Sequence, residues 1–166
     1  MQDVLIPTDS QWYEVSKGNQ TARMIADRHY SRQSVGDKQF VGPGHTMVLL
    51  SYDNKALFVW RFSGYRDDGQ DGVECAIFRN EGELKSSDLI LEAEQFAWVR
   101  WPDKRLFTYV DGEKIKSTYP GFCFKCAGWK KVNGYRSKVN ALHLLEKHPD
   151  NAHCGSCEIV TLKEEV

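Results

Sequence analysis

The stretch Cys75-Ala-Ile-Phe-Arg-Asn-Glu-Gly-Glu-Leu-Lys-Ser-Ser-Asp-Leu-Ile90 decides how the chain is read. Cys75, Ala76, Ile77 and Phe78 form a short apolar run with charge on either side, the pattern of a buried strand. Asn80-Glu81-Gly82 breaks that run as a turn. Ser86-Ser87-Asp88 then offers helix N-cap residues, and Leu89, Ile90, Ala93, Phe96 and Ala97 follow at helical spacing. A strand that turns onto a helix N-terminus directs free backbone N–H groups and the positive end of the helix dipole at one point. Arg79, Asn80, Lys85, Ser86 and Ser87 surround that point with donors suited to a phosphate or pyrophosphate. The same residues also make an ordinary strand-to-helix turn, with Asn and Ser closing it locally.

On the N-terminal side, Thr46–Tyr52 and Lys55–Phe62 read as strands joined by an Asp53-Asn54 hairpin. Asn19–Tyr30 reads as a helix with Ala22, Ile25, Ala26 and His29 on one face, followed by a polar, glycine-containing loop. Asp3-Val-Leu-Ile6 is expected as a first strand; Trp12 and Tyr13 have no readable role. On the C-terminal side the helix runs to about Arg100, and Arg105–Val110 is a strand ended by Asp111-Gly112. Pro120-Gly121 introduces a short helix, Phe122–Ala127, stopped by Gly128. Trp129–Asn133 and Lys138–Leu145 are the last strands. The order β, α, β, β, β, α, β, α, β, β predicts an α+β, three-layer domain: a mixed, mostly antiparallel central sheet flanked by helices. Residues 1–146 are expected as one domain and residues 147–166 as a tail.

At 166 residues, with 12% aromatic and 27% charged side chains, the chain can bury a sizeable core and is not of disordered composition. No apolar run approaches the roughly 20 residues of a membrane span, and Met1–Pro7 lacks a basic leader, so a cytoplasmic protein with reduced cysteines is expected. Net charge is −1, yet no Asp or Glu lies between Glu113 and Glu146. That interval holds Lys114, Lys116, Lys125, Lys130, Lys131, Arg136 and Lys138, which suits either a polyanion or a solvated lysine-rich face. Cys123-Phe-Lys-Cys126 and Cys154-Gly-Ser-Cys157 are two CxxC pairs. They offer a four-thiolate structural zinc site that would pin the tail to the short helix; Cys123 or Cys126 can equally be plain buried residues of that helix.

The element order, with an anion-binding turn after the fourth strand, resembles the GNAT acyltransferase fold. Phe124-Lys-Cys-Ala-Gly-Trp129 is similar to that family's helix-ending signature, and Leu106-Phe-Thr-Tyr-Val110 stands where its fifth strand does. The resemblance spans roughly Met47 to Leu145 and implies an acyl-CoA donor, acetyl-CoA above all, bound at the turn and beside Phe124. The family's Arg/Gln-x-x-Gly-x-Gly/Ala loop is absent, with Arg79-Asn-Glu-Gly-Glu-Leu-Lys-Ser-Ser87 in its place, so another activated acyl carrier stays open. His29-Tyr-Ser-Arg32, Phe78-Arg-Asn-Glu81, Thr108-Tyr-Val-Asp111 and Pro120-Gly-Phe-Cys-Phe124 resemble a bacteriophage-associated branch, the Mom-type DNA-modification proteins. That resemblance implies transfer of a small acyl-derived group to a nucleobase amine in DNA, with protection from host nucleases.

Against that background His29 is either a general base of near-neutral pKa or a helix C-terminal cap. Asp111 is a proton acceptor or a turn residue. Tyr109 and Tyr119 are phenols available to protonate a thiol leaving group, and can equally be core or surface residues. Tyr30, Ser31 and Arg32 would approach the base, flipped out of its duplex, while Lys125, Lys130, Lys131 and Arg136 hold the phosphate backbone. Two alternatives use the same residues: an acyl-CoA-dependent N-acetyltransferase acting on a small amine or protein lysine, and a zinc-stabilised nucleic-acid-binding module without catalysis.

Overall fold

A computed structural model describes residues 9–115, 119–135 and 142–149. Ten elements follow one another: β1 (Trp12–Val15), α1 (Gln20–Asp27), β2 (His45–Ser51), β3 (Ala56–Phe62), β4 (Val73–Asn80), α2 (Ser86–Arg100), β5 (Leu106–Asp111), α3 (Phe122–Cys126), β6 (Lys130–Lys131) and β7 (Leu142–Lys147). The strands form one sheet in the order β1-β2-β3-β4-β5-β7-β6. Every neighbouring pair is antiparallel except β4 and β5. The fold is α+β with an open, mostly antiparallel sheet.

Strand periodicity sorts the core into two layers. Met47 and Leu49 of β2 and Ala56, Phe58 and Trp60 of β3 join α2 and α3 in one apolar cluster. Their neighbours Val48, Leu50, Leu57 and Val59 join Ala22, Ile25 and Ala26 of α1 in the other. β3 is buried on both faces because helices cover both sides of the sheet. Three indoles fix α2: Trp12 Nε1 donates to the Leu89 carbonyl at 2.8 Å, Trp60 Nε1 to Ala93 at 3.0 Å, and Trp129 Nε1 to the Glu94 carboxylate at 2.6 Å. Glu94 also accepts from Lys147 Nζ of β7 at 2.7 Å, and that ammonium donates to the Ala127 carbonyl at 2.8 Å. This ion pair is buried, and each member has a second partner, as buried charges require.

Two features open the middle of the sheet. β4 and β5 are in parallel register over only Val73↔Leu106, Glu74↔Phe107 and Cys75↔Thr108; beyond that point they part. The Thr108 hydroxyl donates to the Cys75 carbonyl at 2.9 Å and closes the last shared rung. On the other edge of β4 the register with β3 slips between Val59 and Trp60, a bulge that leaves Ala76 opposite no residue of either neighbour.

Several expectations are corrected. Trp12 and Tyr13 have a role after all: they belong to β1, an edge strand whose indole reaches α2. The α2 N-cap is Lys85, not the serines, and makes no side-chain cap bond; Ser86 and Ser87 lie inside the first turn. β7 runs through Lys147, so the domain extends one residue past the expected boundary and into its buried ion pair. The strand expected at Asp3–Ile6 and most of the remaining tail, 150–166, lie outside the described residues, as do 138–141 of the last expected strand. No helix among the described residues is long and apolar enough to cross a membrane.

Candidate active site

Where β4 and β5 part, a largely apolar cavity of about 300 Å³ opens between them. Cys75, Ala76 and Phe78 form its β4 wall, Thr108, Tyr109 and Val110 its β5 wall, and Gly121–Phe124 of α3 its floor. His29 and Tyr30, just past α1, reach over from the other helical layer and close one side, their rings stacked at 4.3 Å. Gly121 is needed here: its φ is 74°, and a Cβ would lie 2.5 Å from Leu145 Cδ1. A more polar annex, bordered by Ser31, Gln33, Asp111 and Lys114, shares His29, Tyr30, Cys75, Ala76 and Tyr109 with this cavity.

His29, Tyr30, Tyr109 and Asp111 are thus brought together from α1 and β5, more than seventy positions apart in sequence. Their chemistry differs from the expectation in part. Burial first, then the Arg79 charge, lowers the His29 pKa to about 4, while a backbone hydrogen bond at Phe78 works against both. His29 is therefore neutral at pH 7 and not the near-neutral base expected from its type. Its Nδ1 lies 2.7 Å from the Ser31 hydroxyl, which fixes the ring. Burial raises the Tyr30 phenol, partly offset by a hydrogen bond from the Asp111 backbone, so Tyr30 stays protonated. Tyr109 is already engaged: its hydroxyl donates to Asp68 Oδ2 at 2.7 Å. Burial, then the Asp68 bond and charge, pushes its phenol far up. With its proton committed to Asp68, Tyr109 is not free to supply the leaving-group proton expected of it. Asp68 is itself gripped by Arg66, which with Arg61 also holds Glu74, so a chain of charges stiffens the β4–β5 side. Asp111 caps the following turn, accepting from the Glu113 and Lys114 backbone at 3.0 and 3.3 Å, and its other oxygen lies 4.0 Å from Lys114 Nζ. Tyr119 sits at the cavity mouth, 67% exposed.

The turn after β4 is built differently from the donor site expected. Asn80 is turned inward: Nδ2 donates to the Leu84 carbonyl at 2.6 Å and to Ser86 Oγ at 3.0 Å, and Oδ1 accepts from the Gly82 N–H. Arg79 is paired with Glu81 at 2.6 Å, and Glu81 is gripped from its other side by both arms of Arg28. Those bonds lower Glu81 to about 2, so a carboxylate stands where the phosphate was expected. Neither Arg79, Asn80, Lys85, Ser86 nor Ser87 borders the cavity, and Ser87 is buried. Phe124 is a core residue, packed edge-on to Phe78 and Trp129, and it presents one edge to the cavity.

Arg32, expected at nucleic acid, is instead a loop organiser. Its guanidinium donates to Asp27, to the Gln39 carbonyl and to the Asp37 carbonyl, and its side chain is 8% exposed. Lys125, Lys130 and Lys131 are exposed, on α3 and on the edge strand β6. Burial, then Lys131 and Lys125, lowers the nearby His143 below the usual imidazole range. Arg136, Cys154 and Cys157 lie outside the described residues. Cys126 is exposed, whereas Cys123 lines the cavity, where burial raises its thiol. No group of three or more His, Cys, Asp or Glu among the described residues is arranged to hold a metal.

Comparison with family models, with curated proteins and with solved structures finds no match to this chain. Cys75, Ala76 and Thr108, which form the throat of the cavity, were not expected as site residues. Their signal was weak: a register slip and a lost strand pairing leave no mark in composition or spacing.

Proposed function

We propose that this protein is a GNAT-like transferase that places a small acyl-derived group on a nucleobase amine in DNA. The observation that carries this reading is the parting of β4 and β5 around an apolar cavity at their C-terminal ends, where open sheets hold their ligands. The element order on which the resemblance rests supports it. An acyl chain fits the apolar walls. A diphosphate does not fit the turn as built, because Arg79 and Arg28 are engaged by Glu81. The donor is therefore an activated acyl group, which supplies an electrophilic carbonyl carbon.

The chain's own residues suit an uncharged amine. A nucleobase exocyclic nitrogen is neutral at pH 7, so it loses a proton only as its bond to the carbonyl carbon forms and the carbon–leaving-group bond breaks. With a pKa of about 4 and Nδ1 already accepting from the Ser31 N–H at 3.2 Å, His29 orients the amine while the amine proton passes to solvent through the polar annex. The protonated Tyr30 hydroxyl donates a hydrogen bond to the leaving atom, which takes its proton from solvent. Asp111 holds the turn that bears on Tyr30 through its backbone. Mass spectrometry of nucleosides from DNA of cells expressing the protein tests this. A new nucleoside, lost with Tyr30→Phe and with Asp111→Ala, is expected, and its mass increment names the group. Turnover of acetyl-CoA on a small amine without any new nucleoside would replace this reading with the conventional N-acetyltransferase.

A further inference from the structure

The cavity mouth carries two exposed aromatic side chains that neither the core nor the proposed chemistry uses. Tyr119 is 67% and Phe122 61% exposed, with ring centroids 6.5 Å apart. Both border the cavity, across from the stacked His29–Tyr30 pair. The apolar space is thus flanked by aromatic pairs on two sides. At about 300 Å³ it lies at the small end of the range for ligand sites, enough for one flat ring system and a short chain. Phe122 and Lys125 are three residues apart on α3 and so share one face. Lys131 of β6 lies on the same side as Lys125, since both charges bear on His143 of β7, whereas Lys130 points to the opposite face, where Glu146 stands across from it.

We infer that this mouth takes an unpaired nucleotide of a nucleic-acid strand: its base stacks on Phe122 and Tyr119 as it enters the cavity, and its flanking phosphates lie along Lys125 and Lys131. Aromatic rings beside a row of cations are the pattern of single-strand binding, because every base has a face to stack and every linkage a charge to neutralise. The row is short and lies at the edge of the sheet, so it follows one strand for a few nucleotides and does not span a duplex groove. The inference rests on the nucleobase reading above and deepens it by specifying the form of the strand.

The test is fluorescence anisotropy with a labelled DNA strand, the same sequence as a full duplex, and a duplex with a central unpaired bubble. Expected affinities are single strand and bubble above duplex. Phe122→Leu, which keeps an apolar side chain but no ring, weakens the single strand by about tenfold and leaves its salt dependence unchanged. Phe122→Trp restores binding, which separates stacking from misfolding. Lys125→Ala with Lys131→Ala lowers the logarithmic salt slope by about 1.4. Wild-type affinity in Phe122→Leu, or tightest binding to the full duplex, overturns the inference. Binding that behaves as expected without any new nucleoside would keep the nucleotide mouth and remove the transferase. A new nucleoside made equally well by Phe122→Leu would do the reverse.

Discussion

Replacing Lys147 with methionine isolates an ion pair sealed in the core. The side chains of Lys147 and Glu94 are 7% and 1% exposed. Methionine fills the space but removes the ammonium that bonds Glu94 Oε2 and the Ala127 carbonyl. Glu94 is then left with the Trp129 indole alone. Stranding one member of a buried pair costs about 3–5 kcal/mol. With a urea slope of about 2 kcal/mol/M, the unfolding midpoint should fall by roughly 2 M. The assay is urea unfolding followed by tryptophan fluorescence, since Trp129 sits on the pair. The loss should depend on pH in a fixed direction. Burial already raises the Glu94 pKa, and Lys147 and Trp129 only partly offset it. Without Lys147 it rises further. A raised carboxyl contributes stability that is full below its unfolded value and lost as pH rises through its folded value. Lys147→Met should therefore be weakest at neutral pH and recover toward pH 4.5 and below. Adding Glu94→Gln, which keeps an acceptor for Trp129, should return most of the lost stability. A single variant within 1 kcal/mol of wild type at pH 7, or a double variant as unstable as the single, would refute a sealed, interdependent pair.

Three further outcomes are expected. His29, held at about 4, should titrate there by NMR; its contribution to stability is full above the ordinary 6.5 and falls by on the order of 3 kcal/mol as pH drops through about 4, and a midpoint near 6.5 would mean the ring is not buried. Thr108→Val keeps shape but removes the bond to the Cys75 carbonyl, so it should cost about 1 kcal/mol in urea unfolding, and no change would show that the last β4–β5 rung does not need it. Gly121→Ala combines a strained φ with a clash on Leu145, so it should lower the melting temperature by more than Gly36→Ala, whose Cβ meets nothing within 4 Å.

The fold was legible wherever periodicity is strong. β2, β3, β4 and β5 carry apolar runs bounded by turns, and α2 carries a wide apolar stripe, so nine elements, from α1 onward, came out in the observed order. β1 was hidden because four residues, one of them Glu14, are too few to show alternation. The meeting of His29, Tyr30 and Asp111 was legible only through short motifs, whereas the cavity around them depends on a bulge and an early end to pairing. Arg79 misled because its partner carboxylate, Glu81, is held by Arg28, 53 positions earlier. Arg32 misled for a different reason: its acceptors are local, Asp27 at the end of α1 and the Asp37 and Gln39 carbonyls of a loop that folds back onto it. Residue type suggests a function for a charge; a partner that folding brings to it decides whether it is free to perform it.

The three-rung contact between β4 and β5 also bears on how the molecule is made. It divides the sheet into a plate of β1–β4, finished by Asn80, and a plate of β5, β7 and β6 that follows α2. On the ribosome, where synthesis proceeds at about 5–20 residues per second, the first plate can form all its antiparallel pairs before β5 exists. Until then β4 is an open edge, exposed to pairing with another nascent chain. The bulge at Ala76, in the pairing with β3, bends the strand and so makes that edge irregular. The cavity is completed only when the second plate arrives, so the site is the last part of the sheet to be born.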